Sequence, residues 1–348
     1  MDELKQSLIN QVEFNCDVSD AKYWGYFSIC GLLMSLYALY MSKLSLKPWA
    51  YVEGKDISEW IAQKEAGWEK LENEDFRELR IHGKSYNPFD ISAINQVLIG
   101  EGLVYGAGYG LFNKPSFFLA DLHSYSKIHG CSVFVSKKEH VRDLFISPGM
   151  LREKQIFLRL EPLRAILWDK FQELKKQNNP ILEYAFNQYG FHADQDINEE
   201  FEIAFEKLTN KYSDVVLYHE LSESIEDIPG WSEMLYEIDA KDVNFFLRAV
   251  KDMLADTSNH GPIKRSIDNK DSVNLGLSIA LIDRYRVKMD KEIRQAYEEF
   301  INSGDWDLVE NARKMIYARV VLLRDKILDI RKSVDNKADL IAKIRRLI

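Results

Sequence analysis

The chain has 348 residues, 46% hydrophobic and 29% charged, which is ample material for a folded core and argues against global disorder. Only 8 prolines and 17 glycines argue against a turn-dense β-sandwich, and 3 cysteines without a CxxC pair exclude a disulfide scaffold. The net charge of −9 speaks against a nucleic-acid partner, because phosphate contacts need a basic surface. Reduced thiols at Cys16, Cys30 and Cys131, with a Met-Asp-Glu start that is no secretory signal, read as a cytoplasmic protein.

A helix is expected over 3–11, followed by a long uncharged helix over 23–42 with Asp17 or Ser19 as its cap. Its length would suit a membrane span. Trp24, Tyr26, Tyr37 and Tyr40 run along its whole length, however, whereas a span gathers such rings at its two interfaces, so the reading is a buried core helix and no membrane. Asp56 opens a third helix in which Trp60, Lys64 and Trp68 share a face, the tryptophans marking its buried side. Asp90 caps a helix over 91–99.

The glycine-rich segment 100–110, followed by Lys114, has the composition of a phosphate-cradling loop. A strand rather than a helix follows, so a tight turn before an aromatic strand is preferred. Residues 116–126 and 131–136, joined by Lys127-Ile128-His129-Gly130, predict a β-hairpin. Helices resume near Lys138, break at Pro148-Gly149 and return over 162–176. Arg152, Arg159, Glu161 and Arg164 suggest an ion-pair network.

Loop signals at 177–180 and 192–196 divide the chain into a helical domain with a hairpin near 116–136 (1–190) and an α-helical domain (191–348). The expected fold class is therefore mainly α. In the second domain helices are expected from Asp196 to Asp227 and from Asp239 or Asp242 to about Ser258, with a turn at Gly304-Asp305. Residues 192–242 carry fifteen acidic side chains against three lysines, and 311–348 carry eleven Lys or Arg against four Asp. The basic terminal helices should pack beside the acidic ones; the alternative is that Lys343, Arg345 and Arg346 dock on an acidic partner.

Chemistry is suggested by one stretch, Tyr218-His219-Glu220-Leu221-Ser222-Glu223. His219 and Glu223 are four apart and leave one helical face, the spacing by which HExxH motifs offer two metal ligands, although glutamate here replaces the second histidine. Asp252, Asp256 and His260 recur at the same spacing on the next long helix. Antiparallel packing of the two would gather His219, Glu223, Asp252, Asp256 and His260 around one ion, with Asp252 as ligand or orienter. Mixed imidazole and carboxylate donors favour Zn, Mn or Fe over Ca or Mg. Glu220 would be the general base. Cys16 beside Asp17 is a poor nucleophile, since a neighbouring carboxylate raises a thiol pKa.

The strings Asn15-Cys16-Asp17-Val18-Ser19-Asp20-Ala21, Trp24 to Met34, Tyr105 to Phe112, Ser147-Pro148-Gly149-Met150, His219 to Glu223 and Asp252 to Asp256 resemble an uncharacterised bacterial family of two-part proteins. The resemblance spans most of the chain and implies a soluble, two-part, mainly helical protein; it brings no activity or cofactor. The expectation for function is a helical metalloprotein acting as a metal-dependent hydrolase. The alternative is a non-catalytic scaffold that binds a protein partner, or a homo-oligomer, through its helical surfaces.

Overall fold

The computed structural model describes residues 2–174, 176, 179–282 and 285–348, in two compact units, Met1–Trp168 and Asp169–Ile348. Gln177 and Asn178 of the expected boundary lie outside the described residues. The first unit holds α1 (Asp2–Tyr23), α2 (Ile29–Lys43), α3 (Gly54–Trp68), β1 (Leu79–Ile81), β2 (Lys84–Tyr86) and α4 (Ile91–Leu98). It continues with β3 (Leu103–Tyr109), β4 (Pro115–Ile128), β5 (Cys131–Arg142), β6 (Gly149–Arg152) and β7 (Gln155–Arg159). These five strands form one sheet in the order β3-β4-β5-β7-β6, parallel only between β5 and β7.

Helices predominate over the whole chain, but the expectation of a single hairpin is corrected: this is a mixed α/β architecture. The hairpin itself stands as predicted, turned by His129 and Gly130, both with positive φ. Two features hid the remaining strands. The glycine stretch is strand β3 rather than a turn, and Gly106 lies opposite Phe118 where a Cβ would run into the Phe118 ring. Beyond Lys138 the polar run stays extended because Glu139 is buried as the partner of Arg159, at 2.5 Å. Arg142 also faces Glu139, and the Glu161 carboxylate accepts the Glu139 N–H. Glu139 thus completes the expected arginine network around Arg159, while Arg152 bonds the Tyr109 carbonyl instead.

The anticipated caps Asp17 and Ser19 are interior to α1. Its Leu8, Val12 and Cys16 enter the core under the sheet, with Phe117, Phe118 and Phe134. Burial, and then Asp143, Asp20 and Asp17, push the Cys16 thiol up. One turn on, Lys114 is buried with its Nζ 2.9 Å from Asp20, 3.3 Å from Asp143 and 2.9 Å from the Ser19 hydroxyl. Asp143 also accepts the N–H groups of Phe117 and Phe145, and Asp20 that of Leu144. This cluster fastens α1 to the start of β4 and the end of β5. Burial pushes Asp20 up to about 6, against the pull of Lys114.

The uncharged segment is neither one helix nor a buried one. It breaks at Trp24–Tyr26, and Ser28 caps α2 by accepting the Gly31 N–H at 3.1 Å. Leu36 and Leu39 pack with Trp68 and Leu144, while Ile29 is 81% and Met34 67% exposed beside Leu33 and Tyr37. No helix among the described residues is long and apolar enough to cross a membrane.

α5 (Leu160–Leu174) begins in the first unit and ends in the second. The second unit continues with α6 (Pro180–Asn187), α7 (Glu199–Ile225), α8 (Trp231–Glu237), α9 (Lys241–Thr257), α10 (Pro262–Asp268) and α11 (Ser272–Ala280). α12 (Lys291–Ser303), α13 (Trp306–Lys332) and α14 (Lys337–Arg345) complete it. Asn198, rather than Asp196, caps α7, and Asp305 caps α13 after the Gly304 turn. Phe171, Phe186, Phe191, Phe201 and Phe205 stack into one aromatic cluster. The basic C-terminal helices do lie beside the acidic stretch: Arg331 pairs with Glu237, Lys337 with Asp239 and Arg345 with Asp242.

Lys114→Met leaves two buried carboxylates unmatched and should lower the unfolding free energy by about 3–5 kcal/mol in urea denaturation of the full chain. Asp20 titrates at about 6 when folded against 3.8 ordinarily, so it favours folding fully below 3.8 and loses that contribution as pH rises through 6. The Lys114→Met deficit should therefore shrink between about pH 8 and about pH 5; a deficit independent of pH would contradict the assignment. Gly106→Ala should cost about 1–3 kcal/mol through displacement of the Phe118 ring, read in the same titration.

Candidate metal-binding site on α7 and α9

Helix α7 opens with Asn198 accepting the Phe201 N–H and with Glu199, Glu200 and Glu202 in its first turn, where carboxylates suit the helix dipole. It buries Phe201, Phe205, Leu208 and Tyr212 along one side of its first half, and beyond them Leu217 and Leu221 on the opposite side. His219 and Glu223 follow at one-turn spacing. α9 buries Val243, Phe246, Leu247, Val250, Met253 and Leu254 as one apolar stripe, with Asp256 near its margin and Asp252, one turn earlier, farther from it. α8 intervenes, yet α7 and α9 still pack against each other. Where they meet, His219 reaches Asp256, and Glu223 reaches Lys251 and comes close to Asp252.

The His219 Nδ1 lies 2.7 Å from Asp256 Oδ1, and its Nε2 lies 3.6 Å from Glu223 Oε1. Donor atoms of His219, Glu223 and Asp252 all fall within 4.8 Å of one another. Asp256, expected among the ligands, has its two oxygens engaged by His219 and by Arg286 Nη1 at 3.0 Å, so it holds the imidazole in place. Lys251 donates to Glu223 Oε2 at 2.7 Å, and Arg286 Nη1 is 3.9 Å from Asp252.

His260 is not part of the group. The i, i+4, i+8 reading assumed that α9 runs through it, but the helix ends at Thr257, and His260 is exposed with its N–H on the Ser258 hydroxyl. Ser222 and Ser258 meet at 2.6 Å below the site, tying the two helices where α9 stops. Glu220 is buried on α7. Lys251 adjoins Asp252 in the chain, but Arg286 arrives from the turn Arg286–Lys288 with no local pattern to announce it.

Burial alone would lower the His219 pKa; Asp256, and then Glu223 and Glu220, raise it to about 10. Burial likewise lifts Asp252 to about 6. Against burial, Lys251 and His219 hold Glu223 low, and His219 and Arg286 hold Asp256 low. The site is a polar cluster in which every carboxylate faces a cation.

Without metal, the raised His219 pKa contributes stability that is complete below 6.5 and is lost as pH rises through about 10. Asp256→Asn removes the chief cause of that rise, so burial then dominates. A ring-proton NMR titration should show the His219 midpoint falling by several units, and one that stays put would contradict the assigned partner.

The N-terminal domain model of a family of unknown function, DUF6866, matches residues 7–159, and the C-terminal domain model of the same family matches residues 164–348. No curated protein and no solved structure matches the chain. With both domain models covering nearly its full length in order, the chain belongs to the DUF6866 family of unknown function.

Proposed function

We propose that this is a metalloprotein whose second unit binds one divalent transition ion, Zn, Mn or Fe, through His219 Nε2, Glu223 Oε1 and an Asp252 oxygen, and that it acts as a metal-dependent hydrolase. The observation that carries the reading is the Asp256 contact to His219 Nδ1, which leaves Nε2 turned toward Glu223. Metal-bound histidines commonly have their second nitrogen held by a carboxylate in this way. The 3.6 Å between Nε2 and Oε1 is close to the about 3.4 Å that separates two donors around a tetrahedral ion with bonds near 2.1 Å. Three protein donors leave a coordination position for a reactant, as in catalytic rather than structural sites.

A divalent ion there would supply Lewis acidity. Glu220, whose charge acts on both His219 and Lys251, would take a proton from water as the water oxygen attacks the electrophilic centre, and would return it to the leaving group. A second reading is a non-catalytic helical scaffold that binds a protein partner. It is favoured by the ion pairs Glu223–Lys251 and Asp256–Arg286, which satisfy these carboxylates by themselves.

Elemental analysis of the purified full chain after metal supplementation separates the two. Near-stoichiometric metal that is lost in the His219→Ala, Glu223→Ala double variant is the expected result. Less than about a tenth of an equivalent in the unaltered chain would leave the scaffold.

A further inference from the structure

The cations around the candidate site carry information about what it would take as a ligand. Four carboxylates, Glu220, Glu223, Asp252 and Asp256, lie on its two helices. Lys251 and Arg286 pair with three of them directly, Arg286 reaching both aspartates. Arg248 stands one turn before Asp252 on α9, its Nε on Asn244 Oδ1 at 3.0 Å and its charge acting on Asp252 and Glu223. Three permanent cations therefore oppose four carboxylates before any metal is counted. An ordinary two-carboxylate metal site has an excess of negative charge for the ion to neutralise; this one has almost none. With His219 protonated the metal-free cluster is neutral, and a divalent ion that displaces that proton would leave it at charge +1 in a half-buried setting, where unbalanced charge is costly.

We infer that the metal-loaded site takes a phosphoryl oxyanion as its exogenous ligand, held between the ion and the guanidinium groups of Arg248 and Arg286, so that the substrate class is a phosphate monoester. This rests on the metal reading above. A carboxylate has two oxygens, both used once it meets an ion and one guanidinium. A phosphoryl group has three non-bridging oxygens and can meet the ion and two planar donors together. Contact with the ion would draw Glu223 and Asp252 away from Lys251 and Arg286, turning those donors toward the incoming anion. In hydrolysis the water oxygen forms the new P–O bond, the ester P–O bond breaks, and the proton taken by Glu220 passes to the departing alkoxide.

Calorimetric titration of the full chain with Mn2+, and then with inorganic phosphate in the presence and absence of Mn2+, tests the assignment, with acetate as the competing anion. The expected result is Mn2+ binding, phosphate binding at least about tenfold tighter to the loaded protein, and weaker acetate binding. Arg248→Gln should weaken phosphate by about tenfold or more while Mn2+ affinity is kept or improved. Mn2+ binding with phosphate affinity unchanged by the metal, or with acetate bound equally well, overturns the phosphoryl assignment and leaves the metal reading standing. Absence of Mn2+, Zn2+ and Fe2+ binding alike overturns both.

Discussion

A charge removed from water has to be met by another charge, and that constraint organises both halves of this molecule. In the first unit Lys114 lies between Asp20 and Asp143, and Glu139 between Arg142 and Arg159. In the second, Asp256 lies between His219 and Arg286. Each cluster joins segments far apart in sequence, so the pairing fixes which helix meets which strand or helix. Apolar burial supplies the bulk of the driving force, but it is tolerant of register. A buried carboxylate offset from its cation is not tolerated in the same way.

The same constraint explains what was legible in the sequence and what was not. Local signals read well: Asp90 as a cap, the His129-Gly130 turn, the Gly304-Asp305 stop, and the tryptophan face of α3. The approximate extents of α7 and α9 also followed from pattern. Reading failed where a distant partner changed the meaning of a residue. Lys137-Lys138-Glu139 looks like a polar helix start until Arg159 buries the glutamate inside β5. Gly106 looks like a turn until Phe118 is found occupying the space its side chain would need. Ser19 looks like a cap until Lys114 reaches it.

At the candidate site, spacing found the four side chains that converge, because α7 and α9 are regular helices and a one-turn interval on each survives folding. It failed at His260, where periodicity was extended past the point at which the helix stops. It also read Asp256 as a ligand and left Asp252 as ligand or orienter. Asp256 has its oxygens on His219 and Arg286, whereas Asp252 lies close to His219 and Glu223, a distinction that involves Arg286 from another element. Composition cannot assign such roles, since the two aspartates are equivalent until their neighbours are in place.

The C-terminal helices illustrate a different use of charge. Arg331, Lys337 and Arg345 reach Glu237, Asp239 and Asp242 across largely exposed ground, while Leu340 and Ile344 are the buried residues of α14. Dissolved electrolyte shortens the range of such attractions to about 3 Å at 1 M, whereas the sequestered clusters and the aromatic core are far less sensitive to it. Ionic strength therefore acts selectively on this protein, weakening the charge contacts between its final helix and the acidic stretch while the apolar anchors Leu340 and Ile344 are left in place.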